Sequence, residues 1–117
     1  YSHHRMCEED TEEILQKEII EAKKILEENL NDKIDIFCWC GGEEDTYTSK
    51  AQKLVRDNYK YGFMTNNELV YSDTDNYHIQ RTNIEVRWPL PLVKFQISGI
   101  MDYLYKDKRD RVNTKTN

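Results

Sequence analysis

Ile34-Asp35-Ile36-Phe37-Cys38-Trp39-Cys40-Gly41-Gly42 is the stretch that decides the fold. Its first six residues have the β-branched and aromatic content of a short, partly buried strand, and the two glycines end it. Upstream, Asp10-Thr11-Glu12-Glu13 reads as a capping box with Asp10 as N-cap and Glu13 at the third helical position. Leu15, Ile19, Ala22, Leu26 and Leu30 then recur at helical spacing, with Glu and Lys on the opposite face. The spacing predicts a helix from Asp10 to Asn29 that packs its Leu15/Ile19/Ala22/Leu26 face on a sheet. Downstream, Glu43 to Thr48 is a polar loop, and a second helix begins near Ser49 with Ala51, Leu54, Val55 and Asn58 on one face. Tyr61 to Thr65 is the next strand, Leu69 to Tyr71 a brief extended piece, Ser72 to Asn76 a turn, and His78 to Val86 a further strand. Trp88-Pro89-Leu90-Pro91 punctuates the chain before a final helix from Leu92, in which Gly99 costs about 1 kcal/mol relative to Ala. Residues 106–117 read as a charged, frayed C-terminal tail, leaving 1–105 as the folded portion.

Helices alternating with short strands define an α/β chain, with mainly parallel strands joined by crossover helices. Four short strands are too few to close a barrel. The chain is 117 residues long and opens on Tyr1-Ser2-His3, so it reads as part of something longer. A net charge of −5 argues against a nucleic-acid module, which needs a concentrated basic face. No apolar run approaches the ~20 residues of a membrane span. Cys7, Cys38 and Cys40 are an odd set of thiols, which favours free cysteines and a reducing, cytoplasmic compartment. A zinc site from these thiols and a histidine would lack the C-x₂₋₄-C pairs of structural zinc sites.

The order of short motifs resembles the C-terminal half of a polysaccharide deacetylase of the NodB-homology type, carbohydrate esterase family 4. Tyr1-Ser2-His3 looks like the end of a His-Thr-Tyr-Ser-His motif, followed at the expected distance by the helix from Asp10. Phe37 to Gly42 sits where the family has Phe-x-x-Pro-Tyr-Gly, and Tyr61-Gly62-Phe63 where it has a Gly-aromatic strand. Arg81 matches an arginine beside a strand, and Phe95 to Gly99 matches a late segment. The resemblance implies part of a distorted (β/α)₇ barrel and hydrolysis of acetyl groups from a sugar or polysaccharide. It implies a divalent cofactor, usually zinc, held by one aspartate and two histidines, of which His3 would be one. In such chemistry the ion polarises the acetyl carbonyl and lowers the pKa of a bound water. It further implies Trp39 and Arg81 as contacts to the carbohydrate substrate.

The chain also departs from the family pattern. The Asp-Asp motif that supplies the base and one ligand is not in this sequence, and the first metal histidine would precede Tyr1. Cys38 stands where an arginine is usual, Cys40 replaces the proline, and no histidine follows Leu90-Pro91-Leu92. No catalytic residue is therefore assigned, and the chain alone is expected to be inactive. Each site residue has a plainer reading beside the functional one: His3 as a solvated terminal side chain, Trp39 as core, Arg81 as a cap on a strand edge. The alternative function is a non-catalytic α/β interaction module or inactive remnant. An incomplete sheet also predicts self-association, or assembly with the missing N-terminal half.

Overall fold

A computed structural model describes residues 1–116. Three short strands, β1 (Ile36–Cys38), β2 (Tyr61–Met64) and β3 (Ile79–Gln80), form one sheet in the order β1-β2-β3. Both pairings are parallel, with Ile36 opposite Tyr61 and Phe63 opposite Ile79. The chain is thus α/β with crossover connections, as the sequence implied.

The N-terminal helix is one rod in three parts: α1 (Glu12–Leu15), a π segment (Gln16–Glu21) and α2 (Ala22–Leu30). Its N-cap is Thr11, not Asp10; the Thr11 hydroxyl accepts from the Ile14 amide at 3.3 Å. Asp10 cannot serve because its buried carboxylate already accepts from the Cys7 amide at 2.8 Å and meets the His4 ring at 2.9 Å. Asn31, in the left-handed conformation at φ 51°, stops the rod. In the π segment the Ala22 amide reaches back to Lys17 O, and the Tyr59 hydroxyl donates to Ile19 O at 2.8 Å. That widened turn changes which side chains face inward. Leu15 and Ile19 are buried, whereas Leu26 is 49% exposed and Leu30 is open as well, so only the first half of the anticipated face enters the core.

α3 (Ser49–Asn58) is capped by Thr48, whose hydroxyl accepts from the Ala51 amide at 3.2 Å. It buries Ala51 and Val55 against the π segment. Together with Met6, Trp39, Tyr47, Tyr59 and Met64 these residues make the core. Fully burying Leu15 and Ile19 contributes roughly 1.5–3 kcal/mol each. Gly62 is required where it stands: a Cβ there would lie 2.2 Å from Tyr77 O, the backbone that delivers β3.

Three expectations change toward the C-terminus. The strand foreseen over His78–Val86 is reduced to Ile79–Gln80. The final helix is split into α4 (Leu90–Gln96) and α5 (Ile100–Leu104) because Gly99 takes φ 84° between them, and neither helix has a buried residue. Residues foreseen as a frayed tail form α6 (Lys106–Thr116), which buries Val112 completely. Long-range polar contacts hold α6: Lys108 pairs with Glu43 at 2.8 Å, Arg111 with Glu44 at 2.8 Å, and Thr116 Oγ1 bonds Tyr47 OH at 3.0 Å. Asn117 lies outside the described residues. No helix among them is long and apolar enough to cross a membrane.

Candidate functional site

Parallel strands leave their carboxyl ends on one side of the sheet, where loops can gather chemistry. Here the backbone ladder runs just past the strands: the Trp39 amide donates to Phe63 O and the Arg81 amide to Met64 O, both at 3.1 Å. Trp39 and Arg81 therefore flank the carboxyl end of β2. Gly41 and Gly42, at φ 82° and 73°, turn the chain across that end, and the Thr65 amide donates to Gly42 O at 2.7 Å. His3 reaches the same place, its carbonyl accepting from the Cys40 thiol at 3.2 Å.

His3, Trp39 and Arg81 border one groove of about 600 Å³ between the N-terminal segment, α2 and β1. Its wall toward α2 is apolar, with Leu26, Ile34 and Phe37. Trp39, only 2% exposed, packs edge-on with Phe37 at 5.1 Å and against Tyr47 at 4.8 Å. It has no open ring face for a sugar to stack on, so it is a core residue at the groove's floor, and its indole Nε1 is buried without a partner among the described residues. Arg81 is exposed, and no carboxylate lies within 4.0 Å of it among the described residues. The Arg5 guanidinium lies so close over Gly41 that a Cβ there would meet its Nε at 2.6 Å.

Among the described residues no three His, Cys, Asp or Glu side chains come together in a ligating cluster. The His4 ring is engaged by Asp10, which leaves His3 as a single imidazole at the groove. A catalytic zinc takes three protein ligands, so the residues present do not by themselves fit one. Cys7, Cys38 and Cys40 are unpaired thiols.

Sequence reasoning missed a second cleft on the other side of Arg81. It has a volume of about 480 Å³, and Arg81, Thr65, Asn67, Trp88, Gln96 and Tyr105 line it. Asn67 is only 3% exposed and sits at φ 38°, and its side-chain Nδ2 is sealed from solvent with no partner among the described residues. Arg109 of α6 fixes this turn by donating to Asn66 O at 3.1 Å and Asn67 O at 2.5 Å. The signal available in the sequence was Asn66-Asn67 directly after a strand, a position that favours left-handed turns. Elsewhere, burial pushes the His78 imidazole below its ordinary pKa despite Asp75 at 3.4 Å. No family model, curated protein or solved structure matches the chain.

Proposed function

We propose that this chain is the carboxyl half of a metal-dependent carbohydrate deacetylase, with its strands forming part of a distorted (β/α)₇ barrel. One observation carries the reading: His3 and Arg81, singled out from separate motifs, border one groove at the carboxyl ends of parallel strands. That is the face on which α/β barrels assemble their chemistry. His3 offers one imidazole there, and the remaining ligands and the base come from outside this chain. Arg81, with no counter-charge among the described residues, supplies a donor to polarised or anionic oxygens of the substrate. No catalytic step is assigned to this chain's own side chains.

The test is acetate release from an N-acetylated chito-oligosaccharide by a longer polypeptide that ends in this chain. Release is expected to disappear with a chelator and with His3→Ala, and to be absent for the 117-residue chain alone. Turnover by this chain alone, or full activity of His3→Ala, overturns the reading. A second reading, a non-catalytic interaction module, is favoured by the open apolar side chains of α4 and α5, among them Leu92, Phe95 and Ile100. Capture of a defined protein partner through that surface, with no saccharide binding, would select it.

A further inference from the structure

We infer that the free edge of β1 pairs with the same edge of a second copy of this chain, joining two three-stranded sheets into one of six strands. The inference goes beyond the deacetylase reading and does not need it. β1 is the outermost strand of a sheet ordered β1-β2-β3. On its inner side the Asp35 carbonyl accepts from the Tyr61 amide, and the Trp39 amide donates to Phe63 O, both at 3.1 Å. Backbone groups alternate in direction along a strand, so those of Ile36 and Cys38 point away from β2. Both residues are exposed. A groove of about 600 Å³ follows this edge, with Ile34, Ile36 and Cys38 on one side and Ala22 and Leu26 of α2 on the other.

The apolar stripe of the N-terminal rod points to the same face. Leu15 and Ile19 close the chain's own core, whereas beyond the π segment Leu26 and Leu30 stay 49% and 62% exposed. Leu26 opens onto the groove, and Ile36, 53% exposed, stands across from it. Ile36-Phe37-Cys38 carries neither charge nor proline, two of the usual deterrents to pairing at an edge. Half of the stripe is thus spent inside the chain, and half lines an edge that still has backbone groups to offer.

A second copy fits because this edge is self-complementary. A two-fold axis normal to the sheet, passing beside Phe37, sets Ile36 opposite Cys38 of the second copy and Cys38 opposite Ile36 of the second copy. Each of these pairs exchanges two N–H···O bonds, as hydrogen-bonded antiparallel pairs do. In that register Asp35 meets Trp39 of the second copy rather than another carboxylate. The axis also keeps both α2 helices on one side of the joined sheet, with Leu26 of each copy toward the seam. The area agrees with this occupant. The chain presents 7910 Å², about 1,200 Å² more than a folded monomer of 14.1 kDa, and a standard interface takes about 800 Å² from each partner.

The experiment is sedimentation equilibrium of the 117-residue chain from about 1 μM to about 1 mM, in reductant so that the three cysteines stay free. A reversible dimer of twice 14.1 kDa is expected. Ile36→Pro removes only an outward-facing N–H and is expected to leave a monomer. Leu26→Lys, at a site already half exposed, is expected to weaken the dimer at least about tenfold. Tyr103→Lys, on the 80% exposed face of α5, is expected to leave it unchanged. Amide exchange read by NMR supplies a measurement without substitution. The Ile36 and Cys38 amides are expected to slow at least about tenfold as the dimer forms, while Phe37 and Trp39 are protected throughout. If Ile36→Pro does not fold, Leu26→Lys and amide exchange decide. A chain that stays monomeric at the highest concentration overturns the self-pairing and leaves the edge to a strand from elsewhere, the arrangement a barrel would use. A dimer indifferent to Leu26→Lys, or one in which the Ile36 and Cys38 amides exchange as fast as in the monomer, overturns it too. Acetate release by the longer polypeptide remains the separate test of the deacetylase reading.

Discussion

Single side chains in this protein are set by what has already claimed their neighbours. Asp10 and Thr11 are both able caps, and the choice falls to Thr11 because Cys7 and His4 occupy Asp10. Histidine 78 shows the same dependence in its titration. Its side chain is 13% exposed and packs edge-on to Tyr47 at 5.8 Å. Burial lowers its pKa; Asp75 and Glu68 oppose the shift and Arg56 adds to it. A histidine depressed in the folded state binds its proton more readily when unfolded. Its contribution is therefore complete above the unfolded value of about 6.5 and is lost as pH falls below that toward the folded pKa. NMR titration should place the His78 midpoint below 6.5, and His78→Gln should flatten the decline in urea stability between pH 7 and pH 5. A midpoint above 6.5 would reverse the sign of this contribution.

Among the elements, legibility followed how local the determinants are. α3 was readable to its first residue because its cap, Thr48, and its buried Ala51 and Val55 lie within two turns. β1 and β2 were readable from β-branched and aromatic content, and their parallel pairing from the helix between them. The π segment was not, since its partner, the Tyr59 hydroxyl, lies 40 residues from Ile19. Helix α6 was hidden for a related reason: it contributes one buried apolar residue, Val112, and its ion-pair partners Glu43 and Glu44 are more than sixty residues away. The site divides in the same way. Motifs singled out His3 at the chain's start and Trp39 and Arg81 beside strands; the three border one groove, but Trp39 proves to be core, whereas the cleft containing Asn67 depends on helices whose docking the sequence does not announce. Val112→Ala should cost about 2 kcal/mol, because the methyls it removes are fully enclosed. Urea denaturation checks it, and a change below 0.5 kcal/mol would mean that α6 is not part of the cooperative unit.

The whole molecule exposes more surface than its mass requires. Its accessible area is 7910 Å², where a folded monomer of 14.1 kDa presents about 6,700 Å². Its radius of gyration, 15.3 Å, likewise exceeds the ~13 Å of a compact domain this long. The excess of about 1,200 Å² is comparable with the area buried in a small specific interface. Open apolar side chains lie on α2, β1, α4 and α5, including Leu26, Leu30, Ile36, Phe95 and Ile100. The isolated chain should therefore associate as its concentration rises, and sedimentation velocity should show species heavier than 14.1 kDa. A single monomeric species throughout would count against an unfilled interface.

The grip of Arg109 on the carbonyls of Asn66 and Asn67 has a consequence in time as well as space. A ribosome releases β1, α3 and β2 before it has made α6, so the sheet can pair while the turn after β2 is still unfastened. Only when residue 109 clears the exit tunnel can the guanidinium draw that turn into shape. The cleft beside Arg81 is thus finished only after the sheet, and a nascent chain stalled before α6 would carry the sheet without that cleft.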